Sequence, residues 1–363
     1  MSTSAADRLG QPPARQAPTL RTVLQSALGL ALAVALLVWG LPFFAKTTWG
    51  EIWAVLQGIP TSTAVYLLVL MLLGLWMYTF TFTGSLPGLT HWQALIVNVA
   101  GSSVGNLLPA GGAVGLAATY TILRSWGFTR RAISTSAIVT GVWNVLARVA
   151  LPVGAILALS AGANDVPPAL RDAALAGALS GIAVMATFVA MLVSGRAAER
   201  VGGAIDRALG RVRRRRETTV SVAHLVADLR ARVLDVVRHG WVSMTYGMIG
   251  FFGIYFVLFW FMMDAVGVHH YYGQLFAAYA LGRLLTAVGI TPGGVGVTES
   301  ATAAALVAWG ADPAAAAAGT VLFTIYTHLF EVPLGALGWL AWTLSSKREP
   351  GEMEDEETAG LPA

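Results

Sequence analysis

An all-α, multi-pass membrane protein with six long transmembrane helices and two broken or re-entrant helical hairpins, arranged as an inverted repeat, is the fold class this sequence predicts. Three observations carry that expectation. Hydrophobic residues make up 56% of 363 and charged residues 12%, about half the usual charged share of a soluble domain, and the mean hydropathy is +0.67. Apolar runs of about 20 residues recur along the chain, the length that crosses a bilayer as a helix. Two shorter apolar stretches are each interrupted by proline and clustered glycine, the pattern of discontinuous helices. The same composition leaves no room for a large soluble domain. With no cysteine and six scattered histidines, neither a disulfide framework nor a metal cage is expected. No nucleotide-binding motif is present either, and we expect no cofactor.

Residues 1–21 are polar and rich in Pro, Ala and Arg, a composition that resists folding. The first long run, Val23 to Phe44, has no small-residue cleavage site before Lys46 and reads as a retained helix. Ala64 to Thr83 forms the second. Next comes the first interrupted pair: His91 to Leu108 ends at Pro109-Ala110-Gly111-Gly112, and Ala113 to Trp126 returns to a cluster of arginines. Ile133 to Leu159 and Ala169 to Val193 follow, separated by a turn at Gly162 to Pro168. Residues 196–240 carry most of the arginines and are therefore expected to be cytoplasmic. Within them Val222, Leu225, Val226, Leu229, Val233, Val236 and Val237 recur at helical spacing, predicting an amphipathic helix on the inner leaflet rather than a nucleic-acid surface. Trp241 to Val266 re-enters the membrane, Val268 to Tyr272 surfaces, and the second interrupted pair is centred on Pro292. Ala314 to Leu344 is the last long run, before an acidic tail over 346–363. Residues 22–345 thus form one transmembrane domain.

A gapless shift of 183 residues, from 109 to 292, superimposes Pro109 on Pro292, Gly111 on Gly294, Val114 on Val297, Ala118-Thr119 on Ala301-Thr302 and Trp126-Gly127 on Trp309-Gly310. The register continues through Leu146, Val149 and Leu151 onto Leu329, Val332 and Leu334, so residues 91–160 and 273–344 read as two repeat units. If each interrupted pair returns to its side of entry, both termini are cytoplasmic and the units are inverted, the layout of alternating-access carriers. If only one limb of each pair crosses, the units are parallel.

The interruptions supply the expected hinges: Pro109, Gly111 and Gly112 in the first, Pro292, Gly293, Gly294 and Gly296 in the second. Charges deep in apolar sequence mark the candidate path. The repeat places Arg148 opposite Glu331, either as an ion pair that fixes helix register or as part of a headgroup route. Asn144, Thr140 and Ser136 share a helical face with Arg148, and His328, Thr324 and Thr320 share one with Glu331. Arg283 and Glu299 flank the second interruption, positioned to pair or to face a headgroup.

The segments Leu108 to Gly112 and Thr291-Pro292-Gly293-Gly294-Val295-Gly296-Val297-Thr298-Glu299, followed by Trp309-Gly310 and an alanine-rich helix, resemble the flippase-like transmembrane domain of lysylphosphatidylglycerol synthases. The resemblance covers about residues 20–345. Where that family usually carries Gly-Glu and an arginine in the first segment, this chain has Ala113, Val114 and Ala117. The aminoacyl-transfer half is absent, so the resemblance implies lipid movement and no catalytic residues. The expected partners are the lipid bilayer and a membrane lipid with an anionic or polyprenyl-linked headgroup, with no nucleic acid. A small-solute carrier, a membrane enzyme on lipid-linked sugars and an accessory subunit remain as alternatives. Only Lys46 and Lys347 are lysines, and with the high alanine content this points to a bacterial cytoplasmic membrane.

Overall fold

The computed structural model describes residues 46–107, 111–161, 222–286 and 291–346, with a few single positions between 38 and 43 and between 179 and 190. The long runs expected at Val23–Phe44 and Ala169–Val193 fall almost wholly outside these residues, as do Pro109, the arginine-rich residues 196–221 and both tails. No strand occurs among the described residues. The helices are α1 (Trp49–Gln57), α2 (Thr61–Ser85), α3 (His91–Leu107), α4 (Gly111–Ser125), α5 (Arg130–Ala161), α6 (Val222–Ala265), α7 (Tyr272–Leu285), α8 (Val297–Ala308), α9 (Pro313–Thr324) and α10 (Glu331–Leu344). Four stretches are long and apolar enough to cross a membrane, Thr61–Ser85, Arg130–Leu159, Ala231–Ala265 and Pro313–Leu344. They correspond to four of the six expected long runs.

Local chemistry sets the helix starts. Thr48 and Glu51 form a reciprocal capping box on α1, and Thr90 and Gln93 exchange the same bonds at the head of α3. Asp312 caps α9 ahead of Pro313, which fits the first turn because its missing N–H has no partner there. Helix α1 is an addition to the expected elements, although its Thr-x-x-Glu signature stands in the sequence. Its buried Ile52 packs beneath α9.

Helices α2 and α6 form an antiparallel spine. Contacts run from Gly84 beside Gly240, through Gly247 against Thr81 and Gly250 against Met77, to Gly74 under Tyr255. A Cβ at Gly240 would lie 1.9 Å from the Gly84 carbonyl oxygen. Small residues let these backbones touch where no hydrophobic effect drives helices together in lipid. The amphipathic stretch expected on the leaflet surface is described only from residue 222 onward. Its residues from 222 onward run without interruption into the span, and Val233, Val236 and Val237 pack with Val139 and Val142 of α5. These three valines of the apolar stripe are covered by protein. Forty-four residues make a rod of about 66 Å, roughly twice the hydrocarbon thickness.

The 183-residue offset carries α3 to α7, α4 to α8, and α5 to α9 with α10. Contacts between the units are exchanged: α3 packs on α10, and α7 packs on α5. Gly335 and Gly338 of α10 make room for Ser103 and Val99 of α3, and Gly273 of α7 sits 2.9 Å, by its would-be Cβ, from the Ala158 carbonyl of α5. Helix α3 also touches the Pro292–Gly294 turn, so the two interruptions lie together.

Gly111 and Gly112, expected as hinges, are corrected to helix positions at the start of α4. Neither adopts positive φ. Gly111 is there for close approach: with Gly115 it faces Gly105 and Gly101 of α3, and a Cβ on it would lie 1.7 Å from the Gly105 carbonyl oxygen. Gly112 faces open space. Replacing Gly111 by Ala should therefore lower stability by about 1–3 kcal/mol, the usual cost of overpacking. Gly112→Ala should leave it unchanged or slightly higher. Thermal unfolding of the purified variants in one detergent distinguishes these outcomes.

Candidate functional site

The second interruption is built from left-handed backbone. Gly293, Gly294 and Gly296 have φ of 62°, 77° and 85°, a region that side chains disfavour. Pro292 opens a single 3₁₀ turn, and α8 begins at Val297. Glu299 is the third residue of that helix and its carboxylate accepts the Gly296 N–H at 2.5 Å. The Thr324 hydroxyl and Thr298 Oγ1 complete its shell. A carboxylate at a helix N-terminus also meets the positive end of the helix dipole. Glu299, 2% exposed, thus holds the hinge to α8 and α9.

Arg283 lies across the hinge on α7 and is 8% exposed. Its guanidinium carbon is 4.8 Å from the ring centre of Phe323, 5.3 Å from Tyr255 and 5.5 Å from Tyr279, close enough for cation–π attraction. Its Nε and Nη2 have no hydrogen-bond partner. Arg283 and Glu299 line one cavity of about 30 Å³, together with Thr286, Thr302, Thr320 and His328. That space is water-sized. No ion pair joins the two side chains among the described residues.

Arg148, on α5, reaches the same hinge from the other unit. Its Nε donates to Asn144 Oδ1 at 3.0 Å, and its Nη1 donates to the Arg283 carbonyl at 3.3 Å and to the Thr286 hydroxyl. Asn144 in turn donates to Tyr78 Oη at 2.8 Å. Pro152 cannot donate to the carbonyl of Arg148, one turn back, so the backbone here is loosened as well. The expected polar stripe is present: Asn144, Thr140 and Ser136 line a cavity of about 170 Å³ with Tyr78 and Thr119. Arg148 therefore bonds a wall residue of each cavity, Asn144 in the larger and Thr286 in the smaller.

The expected Arg148–Glu331 pair does not form. Glu331 instead accepts from Asn106 Nδ2 at 3.0 Å, at the end of α3. The second stripe is also split, because Thr320, Thr324 and His328 face the Arg283 cavity without Glu331. The last long run explains this. It is not one α-helix: between α9 and α10, Ile325–Leu329 forms a wide π turn, with Phe330 N–H bonded to Ile325 O at 2.9 Å. Pro333 cannot bond the carbonyl of Leu329 and its ring crowds it, which favours such a turn. One extra residue in the turn rotates Glu331 away from His328 and toward α3. His328 Nε2 then lies 3.1 Å from the Gly293 carbonyl. A carbonyl only accepts, so the proton of this bond sits on Nε2.

Sequence reasoning missed Asn106, Thr286 and the aromatic cage of Arg283. Asn106 is one of few amides in apolar helix and carried a readable signal. The cage arises only when α6, α7 and α9 converge, and no local pattern marks it. Among the described residues no group of three or more His, Asp or Glu is placed to hold a metal ion.

A family model described as the lysylphosphatidylglycerol synthase TM region matches residues 26–335. The chain belongs to that family. No curated protein matches it.

Double-mutant cycles on thermal stability separate the bonding patterns. Asn106→Leu combined with Glu331→Leu should show coupling of about 0.5–3 kcal/mol, as expected for residues in contact. Arg148→Leu with Glu331→Leu should be additive within about 0.5 kcal/mol. Strong coupling in the second cycle would restore the ion pair.

Proposed function

We propose that this member of the lysylphosphatidylglycerol synthase transmembrane family moves a phospholipid or polyprenyl-linked lipid between leaflets, its headgroup passing between the two broken hairpins. The observation that carries this reading is a buried guanidinium with two unpartnered nitrogens beside a glycine hinge in apolar surroundings. An unpaired cation in such a place is costly and marks a route for anions. Phosphate suits guanidinium geometry, because its oxygens accept parallel N–H bonds.

In the mechanism we infer, the headgroup enters the cavity lined by Tyr78, Thr140 and Asn144. Its phosphate takes the Arg148 bonds now made to Thr286 and to the Arg283 carbonyl. The Arg283 cavity is too small for a phosphodiester and opens by rotation at Gly293, Gly294 and Gly296. His328 and Glu331 couple that rotation to the first hairpin, since one turn of helix holds both. The chains of the lipid remain in the hydrocarbon. The phosphate charge is balanced by Arg148 and Arg283, Glu299 and Glu331 are placed to meet a cationic part of the headgroup, and no chemical step is involved.

The inverted arrangement is part of this proposal. The offset that relates the repeats also carries residues 61–85 onto 244–268, and α2 and α6 pack antiparallel. An antiparallel pair related by that offset supports a pseudo-two-fold axis in the membrane plane. We place the protein in a bacterial cytoplasmic membrane with both termini inside. Reporters at Arg214 and after Arg348 should read cytoplasmic and one at His270 external. Opposite readings at Arg214 and Arg348 would indicate parallel repeats.

The direct test is reconstitution into liposomes with a headgroup- or chain-labelled phospholipid and a membrane-impermeant quencher. Wild-type protein should expose the inner-leaflet label. Arg283→Gln should slow exposure at least about tenfold, the equivalent of one charge-assisted hydrogen bond of about 1.5 kcal/mol. Gly293→Ala should slow it as well, because its Cβ would meet the His328 ring at 2.9 Å in a backbone region closed to side chains. Cleavage or modification of the lipid without its movement would replace transport with an enzymatic reading.

A further inference from the structure

On the other flank of α5 lies a second kind of space. A cavity of about 600 Å³ is enclosed by α5, α6 and α7, with Ala147, Ala150, Met248, Ile249, Gly253 and Phe276 among its walls. Apart from Trp143 Nε1 and the Thr245 hydroxyl, which bond each other at 3.1 Å at one end, the walls are apolar. At the other end Phe256 and Phe276 meet edge to face at 4.9 Å. From Thr245 to Phe256 is eleven residues of helix, so the slot runs about 16 Å along the axis of α6. It is open sideways: Ile249 is 69% exposed, and a Cβ built on Gly253 meets nothing within 4 Å. Apart from Phe276 of α7, the walls lie within the spans Arg130–Leu159 and Ala231–Ala265.

We infer that this slot binds one acyl chain of a bilayer phospholipid. Its shape argues for that occupant over others. Water gains no partners from such walls, and an empty space of this size forfeits dispersion contacts along its whole surface. A helix is about 10 Å across and does not fit a crevice between packed helices, whereas a single hydrocarbon chain is slender, apolar and extended along the membrane normal. The slot adjoins the Trp143–Asn144 step of α5: Trp143 lines the slot, and Asn144 lines the polar cavity and accepts a hydrogen bond from Arg148. A lipid with one chain seated here has its polar end within the protein's reach. The chain site therefore deepens the transport reading and rests on it for its role, though not for binding.

The full-length protein in vesicles of phosphatidylethanolamine and phosphatidylglycerol, doped with a phospholipid carrying a mid-chain diazirine, provides the test. After irradiation, adducts mapped by mass spectrometry should be several-fold denser on Ile249 and Met248 than on Leu72 and Leu73, which are exposed on α2. Gly253→Leu places a side chain in the slot, and it should lower the Ile249 adducts to the level of Leu72 without altering those on α2. Equal labelling of the two faces in the wild type, which needs no variant to fold, would overturn the assignment. So would cross-linking of Ile249 to residues 169–193 in place of lipid. Transport measured in the same vesicles keeps the two ideas apart: slot labelling without lipid movement removes the transport reading alone, and movement without slot labelling removes the chain site alone.

Discussion

One wide turn of helix ties the two interruptions of this fold together. His328 holds the carbonyl of Gly293 in the second break, and Glu331, three residues on, holds Asn106 just before the first. In hydrocarbon, freed peptide groups and side-chain charges have no water to turn to, so each must find its partner within the protein. A strict α-helix through 313–344 would project His328 and Glu331 in other directions. The π turn before Pro333 is what brings a histidine to the hinge at Gly293 and a carboxylate to the end of α3, and the cavity around Arg283 is built on the face it leaves behind.

The two hairpins meet that demand in different ways. In the first, glycines on α3 and α4 face each other and close the space completely. In the second, Thr286, Thr298 and Thr302 stand where the backbones separate, and their hydroxyls surround a water-sized void with Arg283 on its wall. The first hairpin is thus tightly sealed and the second polar, and uncharged Ala113, Val114 and Ala117 stand in the first where Arg283 and Glu299 flank the second.

Much of this was legible in the sequence for a simple reason: in a membrane, hydrophobic length and interruption are strong signals. The spans from Thr61, Arg130 and Pro313, the Pro292 break and the polar stripe of Asn144, Thr140 and Ser136 all follow from them. What misled was the assumption that helical phase persists. Carrying one helical face from Glu331 through His328 to Thr324 and Thr320 crosses the wide turn and assigns Thr320 and Thr324 to the wrong charge, and matching Arg148 to Glu331 by repeat position ignores that each unit leans on the other. Gly111 read as a hinge because glycine serves flexibility and contact equally, and only the neighbouring Gly105 decides which. The straight path of α6 through residue 240 was hidden by arginines that marked a boundary of polarity without marking a boundary of structure.

The exchange of helices between units, α3 on α10 and α7 on α5, bears on how the protein is made. Helix α3 leaves the ribosome more than two hundred residues ahead of α10, the surface that receives its Ser103 and Asn106. Until α10 is in place, the first hairpin has its own glycine seam, but Ser103 lacks the Gly335 surface it packs against and Asn106 the carboxylate it is matched to. The contact between α3 and α10 is therefore completed late in synthesis. A chain stopped before Glu331 would lack both the carboxylate that Asn106 bonds and the glycine surface that receives Ser103.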